Sequence, residues 1–158
     1  MGELLTREEL VTVRHEARRQ GRKVVFTNGC FDLLHRGHVE YLIQAKKLGD
    51  ILVVGLNSDR SVQKLKGHGR PLTPQEDRAR VLTALEMVDY VCIFEEETPA
   101  RLIQAVVPDV LVKGSDYQLD EIVGRDTVEQ AGGRVVSVPL VEGFSTRGLI
   151  QRILQRYG

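Results

Sequence analysis

The stretch Lys23–Glu40, which reads KVVFTNGCFDLLHRGHVE, decides the fold. Its β-branched and aromatic run, residues 24–27, is followed at once by Asn28-Gly29, a pair that favours a turn. From Gly37 onward, apolar residues recur at helical spacing: Tyr41, Leu42, Ala45 and Leu48. The stretch therefore predicts a strand, a turn and a helix in direct succession.

Two histidines, His35 and His38, lie where this turn enters the helix, so their side chains can project toward one side of the helix mouth. A helix N-terminus offers unpaired N–H groups and the positive end of the helix dipole, which together bind phosphate. We interpret the pair as stabilising charge on a reacting phosphate. A helix cap and a pair of metal ligands are the alternatives, but no further Cys or His cluster completes a four-ligand zinc site, so no metal site is predicted.

Strand and helix patterns alternate along the rest of the chain, with further strands predicted at 51–56, 90–94, 110–112 and 135–138. This pattern indicates an α/β fold with a doubly wound parallel sheet, in one domain spanning residues 1–158. Residues 1–21 are predicted to form an N-terminal helical extension on the surface or against a partner, with Arg14 and His15 on its solvated face. Ligands of such sheets bind beyond the carboxyl ends of the strands. Neither a dinucleotide-binding G-x-G-x-x-G nor a Walker loop occurs.

Composition excludes several classes of protein. Lys plus Arg equals Asp plus Glu at 22 each, aromatic residues make up 5% and Trp is absent, which argues against general nucleic-acid binding. The two cysteines, Cys30 and Cys92, form no paired pattern and are expected to be reduced in the cytoplasm. No apolar stretch of membrane-spanning length and no signal peptide are evident, so no membrane insertion is expected.

The segment Thr27–His38, with H-x-G-H at its end, resembles the first signature of the cytidylyltransferase-like nucleotidyltransferases. The resemblance runs from about Lys23 to the last helix and implies the Rossmann-like nucleotidyltransferase fold. The segment Lys113–Tyr117 is similar to the family's G-x-D-[WY] segment, whose acid contacts the nucleotide. Glu142–Arg147 resembles the second family signature, which holds the β- and γ-phosphates.

The resemblance implies roles for particular residues of this chain. The catalytic residues are His35, His38 and Lys66. The nucleotide-binding residues are Cys30, Phe31, Gly37, Lys64, Arg78, Gly114, Asp116, Gly143, Ser145, Thr146 and Arg147. The substrate-binding residues are Asp32, Asn57, Lys66 and Arg70.

The implied reaction is transfer of AMP from ATP to a sugar 1-phosphate, with Mg²⁺ bound mainly through the triphosphate and pyrophosphate released. Within the family the resemblance is strongest to enzymes that form ADP-heptose for cell-surface lipopolysaccharide from D-glycero-D-manno-heptose 1-phosphate. Such relatives form dimers, so a homodimer is expected, and a sugar kinase domain, which many of them carry, would have to be a separate protein.

Three alternatives stay open: a CTP-dependent glycerol-3-phosphate cytidylyltransferase, an FMN adenylyltransferase, and a nucleotide-binding regulatory module without catalysis. Leu140-Val141 stand where the cytidylyltransferase has Arg-Thr, which disfavours the first of these. Arg147 stands where the nearest relatives have a second threonine after Thr146, and it offers an extra phosphate contact.

Overall fold

Six parallel strands form a single sheet in the computed structural model, which describes residues 1–158. The strands are β1 (Glu3–Leu4), β2 (Val24–Gly29), β3 (Ile51–Asn57), β4 (Tyr90–Phe94), β5 (Val110–Gly114) and β6 (Arg134–Val138). Their order in the sheet is β1-β4-β3-β2-β5-β6. The predicted α/β doubly wound parallel sheet is therefore confirmed.

Seven helices connect and flank these strands. They are α1 (Arg7–Arg19), α2 (Arg36–Lys46), α3 (Asp59–Lys66), α4 (Gln75–Thr83), α5 (Ala100–Val106), α6 (Arg125–Gln130) and α7 (Thr146–Tyr157). A short 3-10 helix, Leu119–Glu121, lies between β5 and α6. None of the helices combines the length and the apolar character needed to cross a lipid bilayer.

Two apolar cores lie on opposite faces of the sheet, because successive strand residues point to opposite sides. In β2, Val24 and Phe26 join the core that includes residues of α1, α5 and α6. Val25 joins the other core, which includes Leu42 of α2 and Leu82 of α4. Strand β3 is buried along its whole length, as expected for a parallel strand covered on both faces.

The first 21 residues are built into the fold rather than added to its surface. Strand β1, which the sequence did not predict, pairs in parallel with β4. Thr6 and Glu9, three residues later, predict a capping box at the start of a helix. Helix α1 begins with this box: the Thr6 side chain accepts from the Glu9 N–H, and the Glu9 side chain accepts from the Thr6 N–H. Its residues Leu10 and Ala17 are buried in the core.

The expectation of a solvated face on α1 holds for His15, which is exposed, and is wrong for Arg14, which is buried. The Arg14 guanidinium donates to both carboxylate oxygens of Asp109, at 2.8 and 3.2 Å, and to the Val107 carbonyl. Asp109 also accepts from the Val24 N–H at 2.8 Å. This bidentate pair joins α1 to the amino ends of β2 and β5.

The sequence predicts a helix with Thr73 as its N-cap and Pro74 at its first position, continuing through apolar spacing to Val88. Helix α4 is shorter than this pattern. It begins at Gln75 after Pro74, with no side-chain cap, so the expected cap from Thr73 is wrong. It ends at Thr83, whereas the apolar spacing predicted that it would continue to Val88. The remaining apolar residues, Leu85 and Met87, pack against the core from a turn.

The topology fixes where a ligand is expected. From β2 the chain moves through β3 to β4, and then returns to place β5 on the other side of β2. The strand order reverses between β2 and β5, and ligands of open α/β sheets bind beyond the carboxyl ends of the strands at such a point. The loops after Gly29 and Gly114 lie at this position.

Candidate active site

The two histidines lie together at the first turn of α2. His35 precedes the helix, and its Nδ1 accepts a hydrogen bond from the Gly37 N–H at 3.0 Å. The Nδ1 of His38 accepts from the His35 backbone N–H at 3.3 Å. The rings stack with their centroids 3.9 Å apart. The histidines therefore cap the helix through Nδ1 and leave both Nε2 atoms for a ligand.

Both imidazoles are neutral near pH 7. Burial, reinforced by the nearby His35, lowers the pKa of His38 to about 4. Burial also lowers the pKa of His35. A neutral imidazole whose Nδ1 accepts a hydrogen bond carries its proton on Nε2. Each ring therefore offers one Nε2–H donor beside the unpaired N–H groups of a helix N-terminus, an arrangement suited to phosphate oxygens.

The loop before α7 packs against the first turn of α2. A Cβ on Gly37 would lie 2.9 Å from the Cβ of Phe144 and 2.9 Å from Cε1 of His35, so only glycine fits. The missing side chain of Gly37 lets a large group approach the backbone, and Phe144 is one such group. Its ring lies 6.3 Å, centroid to centroid, from that of His35. Sequence patterns gave no signal for this contact.

The start of α7 carries the second signature. Ser145 caps the helix by accepting from an N–H of its first turn at 2.9 Å. The Thr146 hydroxyl donates to the Asp32 carbonyl at 2.8 Å, which fixes α7 beside the loop after β2. Gly143 adopts φ +83°, a region that favours glycine. Arg147 is exposed, so its guanidinium is accessible to a ligand.

Asp32 holds the loop between α3 and α4 in place. Its buried carboxylate accepts from the Arg70 Nε at 2.8 Å and from the backbone N–H groups of Leu72 and Thr73 at 2.8 and 3.0 Å. Burial alone would raise the pKa of this carboxyl, but these donors together hold it below its usual range. Asp32 and Arg70, both predicted to bind substrate, are thus bonded to each other.

Arg78 lies beneath the site and is 1% exposed. Its guanidinium donates to the carbonyls of Thr73, Cys30 and Asn57 and to a carboxylate oxygen of Asp59, at 2.6 to 2.9 Å. The predicted contact of Arg78 with nucleotide is therefore not available to its side chain in this conformation. The guanidinium instead ties together the segments after β2 and β3 and the start of α4.

Other predicted residues divide between the core and the surface. The Phe31 ring is buried, with its centroid 5.4 Å from that of His38. The buried Asn57 side chain donates to the Ser61 hydroxyl at 2.9 Å. Lys64 is exposed, with its Nζ 4.0 Å from a Glu97 oxygen.

Lys66, the last residue of α3, is exposed and has no ion-pair partner. Gly67 and Gly69 follow it with φ of +88° and +87°, in backbone conformations that favour glycine. This turn is part of the loop that Asp32 anchors at Leu72 and Thr73. Lys66 thus lies on a segment held by α3 on one side and by Asp32 on the other.

The loop after β5 provides the predicted Gly114 and Asp116. A Cβ on Gly114 would lie 2.8 Å from an Asp116 carboxylate oxygen, and Asp116 is exposed. Lys113 precedes them, with its Nζ 4.8 Å from the centroid of the Tyr117 ring. Sequence reasoning did not select Lys113, although a charged residue at the carboxyl end of a buried strand is a signal that could have found it.

Tyr41 of α2 is a second residue that sequence reasoning missed. Its hydroxyl lies 2.7 Å from the Thr27 hydroxyl and donates to the Val112 carbonyl at 3.2 Å. Burial raises the pKa of Tyr41 to about 12, so the phenol keeps its proton. Tyr41 therefore fixes α2, and with it the histidine pair, to the two strands where the strand order reverses.

A family model described as cytidylyltransferase-like matches residues 26–151, which include the histidine turn, the loop after β5 and the start of α7. The chain belongs to the cytidylyltransferase-like family. It is accordingly a nucleotidyltransferase, and the resemblance drawn from the H-x-G-H segment is confirmed.

Curated relatives include the bifunctional protein HldE of Syntrophotalea carbinolica, 56% identical over 96% of this chain, and that of Magnetococcus marinus, 60% identical over 85%. The chain spans only 31% and 28% of the length of these two relatives.

Two solved structures share the fold. The lipopolysaccharide core biosynthesis protein of Thermoplasma volcanium matches with a TM-score of 0.63 and 31% identity, over 77% of this chain and 98% of that one. Pantothenate synthetase of Thermus thermophilus matches with a TM-score of 0.64 over 94% of this chain and 67% of that one. At 22% identity the latter likeness concerns the fold alone.

Proposed function

We propose that this nucleotidyltransferase transfers AMP from ATP to D-glycero-D-manno-heptose 1-phosphate, forming ADP-heptose and pyrophosphate. The observation that carries the phosphoryl-transfer chemistry is the neutral pair His35 and His38, with two Nε2–H donors at the N-terminus of α2. The sugar acceptor is supported by the resemblance to ADP-heptose-forming enzymes and by the similarity to a lipopolysaccharide core biosynthesis protein.

In the proposed reaction an oxygen of the acceptor phosphate attacks the α-phosphorus of ATP. The bond from that phosphorus to the bridging oxygen breaks, and pyrophosphate leaves with the electron pair. The attacking phosphate is already an anion, so no strong general base is needed. His35 and His38 donate Nε2–H hydrogen bonds to the α- and β-phosphate oxygens, where charge builds as the bond breaks. The starts of α2 and α7 align the triphosphate through their N–H groups.

Mg²⁺ is proposed to enter with the triphosphate. No group of three or more His, Cys, Asp or Glu side chains is placed to hold a metal ion. The buried carboxylate of Asp32 is already occupied by three donors. These residues fit an ion held by phosphate oxygens and water rather than by a protein cage. Bound in that way, Mg²⁺ neutralises part of the charge on the triphosphate.

The experiment is pyrophosphate release by the purified protein with Mg²⁺, pairing ATP or CTP with heptose 1-phosphate, glycerol 3-phosphate or FMN. We expect turnover only with ATP and heptose 1-phosphate. His38→Ala should lower kcat by about 100-fold or more, as for loss of one donor to a developing oxyanion. The control His15→Ala alters an exposed histidine on α1 and should match the wild type. Turnover with CTP and glycerol 3-phosphate would replace the proposal by the cytidylyltransferase alternative.

We also propose that the protein acts in the cytoplasm, where ATP is available and the two free cysteines stay reduced.

We further propose that the chain forms a homodimer through α7. No residue of α7 is buried, and Ile153, Leu154 and Tyr157 are 46%, 62% and 86% exposed. An apolar helix face of this kind suits burial against a second copy. Sedimentation should give a dimer for the wild type and for Leu119→Glu, and a monomer for Leu154→Glu. A monomeric wild type would contradict the proposed dimer.

A further inference from the structure

Lys113 is a cation that no group in the chain neutralises directly. It is the fourth residue of β5, between the buried residues Val112 and Gly114. Its Nζ lies over the Tyr117 ring at 4.8 Å, and no hydrogen bond or ion pair engages it. Burial lowers its pKa, and the negative charge of nearby Asp116 offsets that shift only in part because no ion pair forms.

The charges of four side chains act on the Cys30 thiol. Burial raises the pKa of Cys30, and the positive charges of Lys66, Arg78, Arg70 and Lys113 oppose that rise. The two arginines are bonded to protein carboxylates, Arg70 to Asp32 and Arg78 to Asp59. The two lysines have no such partner.

The two lysines approach Cys30 from opposite sides of β2. Lys66 follows α3 on the side of β3, whereas Lys113 ends β5 on the other side. The positive charge of Lys66 also lowers the pKa of Lys113, because the two ammonium groups repel each other. Two cations that repel across a half-buried thiol are stabilised when an anion lies between them.

The geometry of the proposed reaction indicates which anion lies between the two lysines. The starts of α2 and α7 lie side by side, joined by the hydrogen bond from Thr146 to Asp32, and they suit the triphosphate. The attacking oxygen and the leaving pyrophosphate lie roughly in line on opposite sides of the phosphorus. The acceptor phosphate must therefore approach from the side opposite the leaving pyrophosphate, and Lys66 and Lys113 are cations without a hydrogen bond or ion pair that are free to receive it.

We propose that Lys113, together with Lys66, binds the phosphate group of the acceptor substrate. This assignment rests on the phosphate acceptor of the proposed function, but not on which molecule carries the phosphate. In this role Lys113 positions the attacking phosphate oxygen for the α-phosphorus of ATP. Cys30 would lie beside the bound acceptor phosphate.

The first test is independent of the acceptor's identity and uses inorganic phosphate as the probe. Iodoacetamide should alkylate the half-buried Cys30 faster than the buried Cys92, and mass spectrometry distinguishes the two. We expect phosphate to slow alkylation of Cys30 in the wild type and in Lys47→Met, which alters an exposed lysine at the end of α2. In Lys113→Met that protection should be lost. Absence of protection in the wild type, or equal protection in Lys113→Met, would overturn the proposal.

The second test separates binding of the acceptor from a structural role. With ATP and heptose 1-phosphate, Lys113→Met should raise KM for the sugar phosphate about tenfold or more, the loss expected for a hydrogen bond to a charged group. KM for ATP should stay within about twofold, and Lys113→Arg should recover part of the loss. A rise in KM for ATP alone would overturn the assignment. If the wild type shows no turnover with heptose 1-phosphate, the proposed function fails while the phosphate protection of Cys30 still decides the role of Lys113.

Discussion

The arginines and the lysines around Cys30 differ in what their charges do. Arg70 and Arg78 are bonded to carboxylates and carbonyls of the chain, and Arg78 alone makes four hydrogen bonds. Lys66 and Lys113 make none. A planar guanidinium has several donors in a fixed geometry and can bridge several acceptors, whereas an ammonium group is a compact charge on a flexible stem. The arginines therefore shape the site, and the lysines are left to bind what enters it.

The histidines strengthen this contrast because they are neutral. With the pKa of His38 near 4 and that of His35 also lowered, neither ring carries charge near pH 7. They contribute directed N–H donors, while the positive charge comes from the lysines and the exposed Arg147. The histidines thus orient the phosphate through hydrogen bonds, and the lysines and Arg147 supply the positive charge that attracts it.

The largest expected effect is on stability, from removal of the buried arginine. Arg78→Met leaves three carbonyls and the Asp59 carboxylate without their donor, and we expect a loss of about 3–5 kcal/mol in the free energy of unfolding. Arg78→Lys should lie between this variant and the wild type. Urea unfolding provides the measurement, and the exposed Arg80→Met should stay within about 0.5 kcal/mol. A wild-type midpoint for Arg78→Met would show that Arg78 does not shape the site.

The second-largest effect is expected in Lys66→Met, which should lower kcat/KM without changing the free energy of unfolding. Lys66→Met removes an exposed cation whose side chain makes no hydrogen bond or ion pair, so its unfolding midpoint should match the wild type. Its kcat/KM should fall by about 100-fold, as for loss of one group that stabilises the transition state. Lys47→Met, at the far end of α2, should lose neither property. Equal losses of stability and activity in Lys66→Met would remove the distinction between lysines and arginines.

The third effect tests the neutrality of the histidines through pH. The pKa of His38 is about 4 when folded and about 6.5 when unfolded. Between these values the unfolded chain binds more protons, so the free energy of unfolding rises with pH. The free energy of unfolding should therefore be about 3 kcal/mol higher above pH 6.5 than near pH 4 because of His38. His38→Gln should flatten this part of the profile, whereas His15→Gln should not. Parallel profiles for the wild type and His38→Gln would mean that folding does not lower the pKa of His38.

Much of the fold was predictable because local and global signals agree. The continuous apolar run of β3 could be interpreted correctly because both faces of that strand are buried. The capping box was predictable because Thr6 and Glu9 lie only three positions apart in the sequence, and the structure confirms it. Strand β1 was missed because two exposed residues carry no periodicity, and their pairing with β4 depends on a partner 87 residues away.

The site was predictable in its members but less so in their partners. The H-x-G-H segment identified the histidine pair and the loop after α3 indicated Lys66, whereas Lys113 was not selected. That Asp32 binds Arg70, or that Arg78 reaches Cys30 and Asn57, depends on contacts between segments 21 to 48 residues apart. A sequence motif shows that a residue is charged. Only the fold determines whether another residue of the chain forms an ion pair or hydrogen bond with it.

The smallest expected effect tests whether Arg70 is truly occupied by Asp32. Asp32→Asn and Arg70→Met should each destabilise the protein, and the double variant should cost less than the two losses added together. We expect a coupling of about 1 kcal/mol from urea unfolding of the four proteins, because Arg70 is partly exposed although Asp32 is buried. Strict additivity would mean that Arg70 is free to bind a ligand, and the arginines would then no longer differ from the lysines. A positive coupling would assign Arg70 to the scaffold and leave Lys66 and Lys113 as the cations available around Cys30.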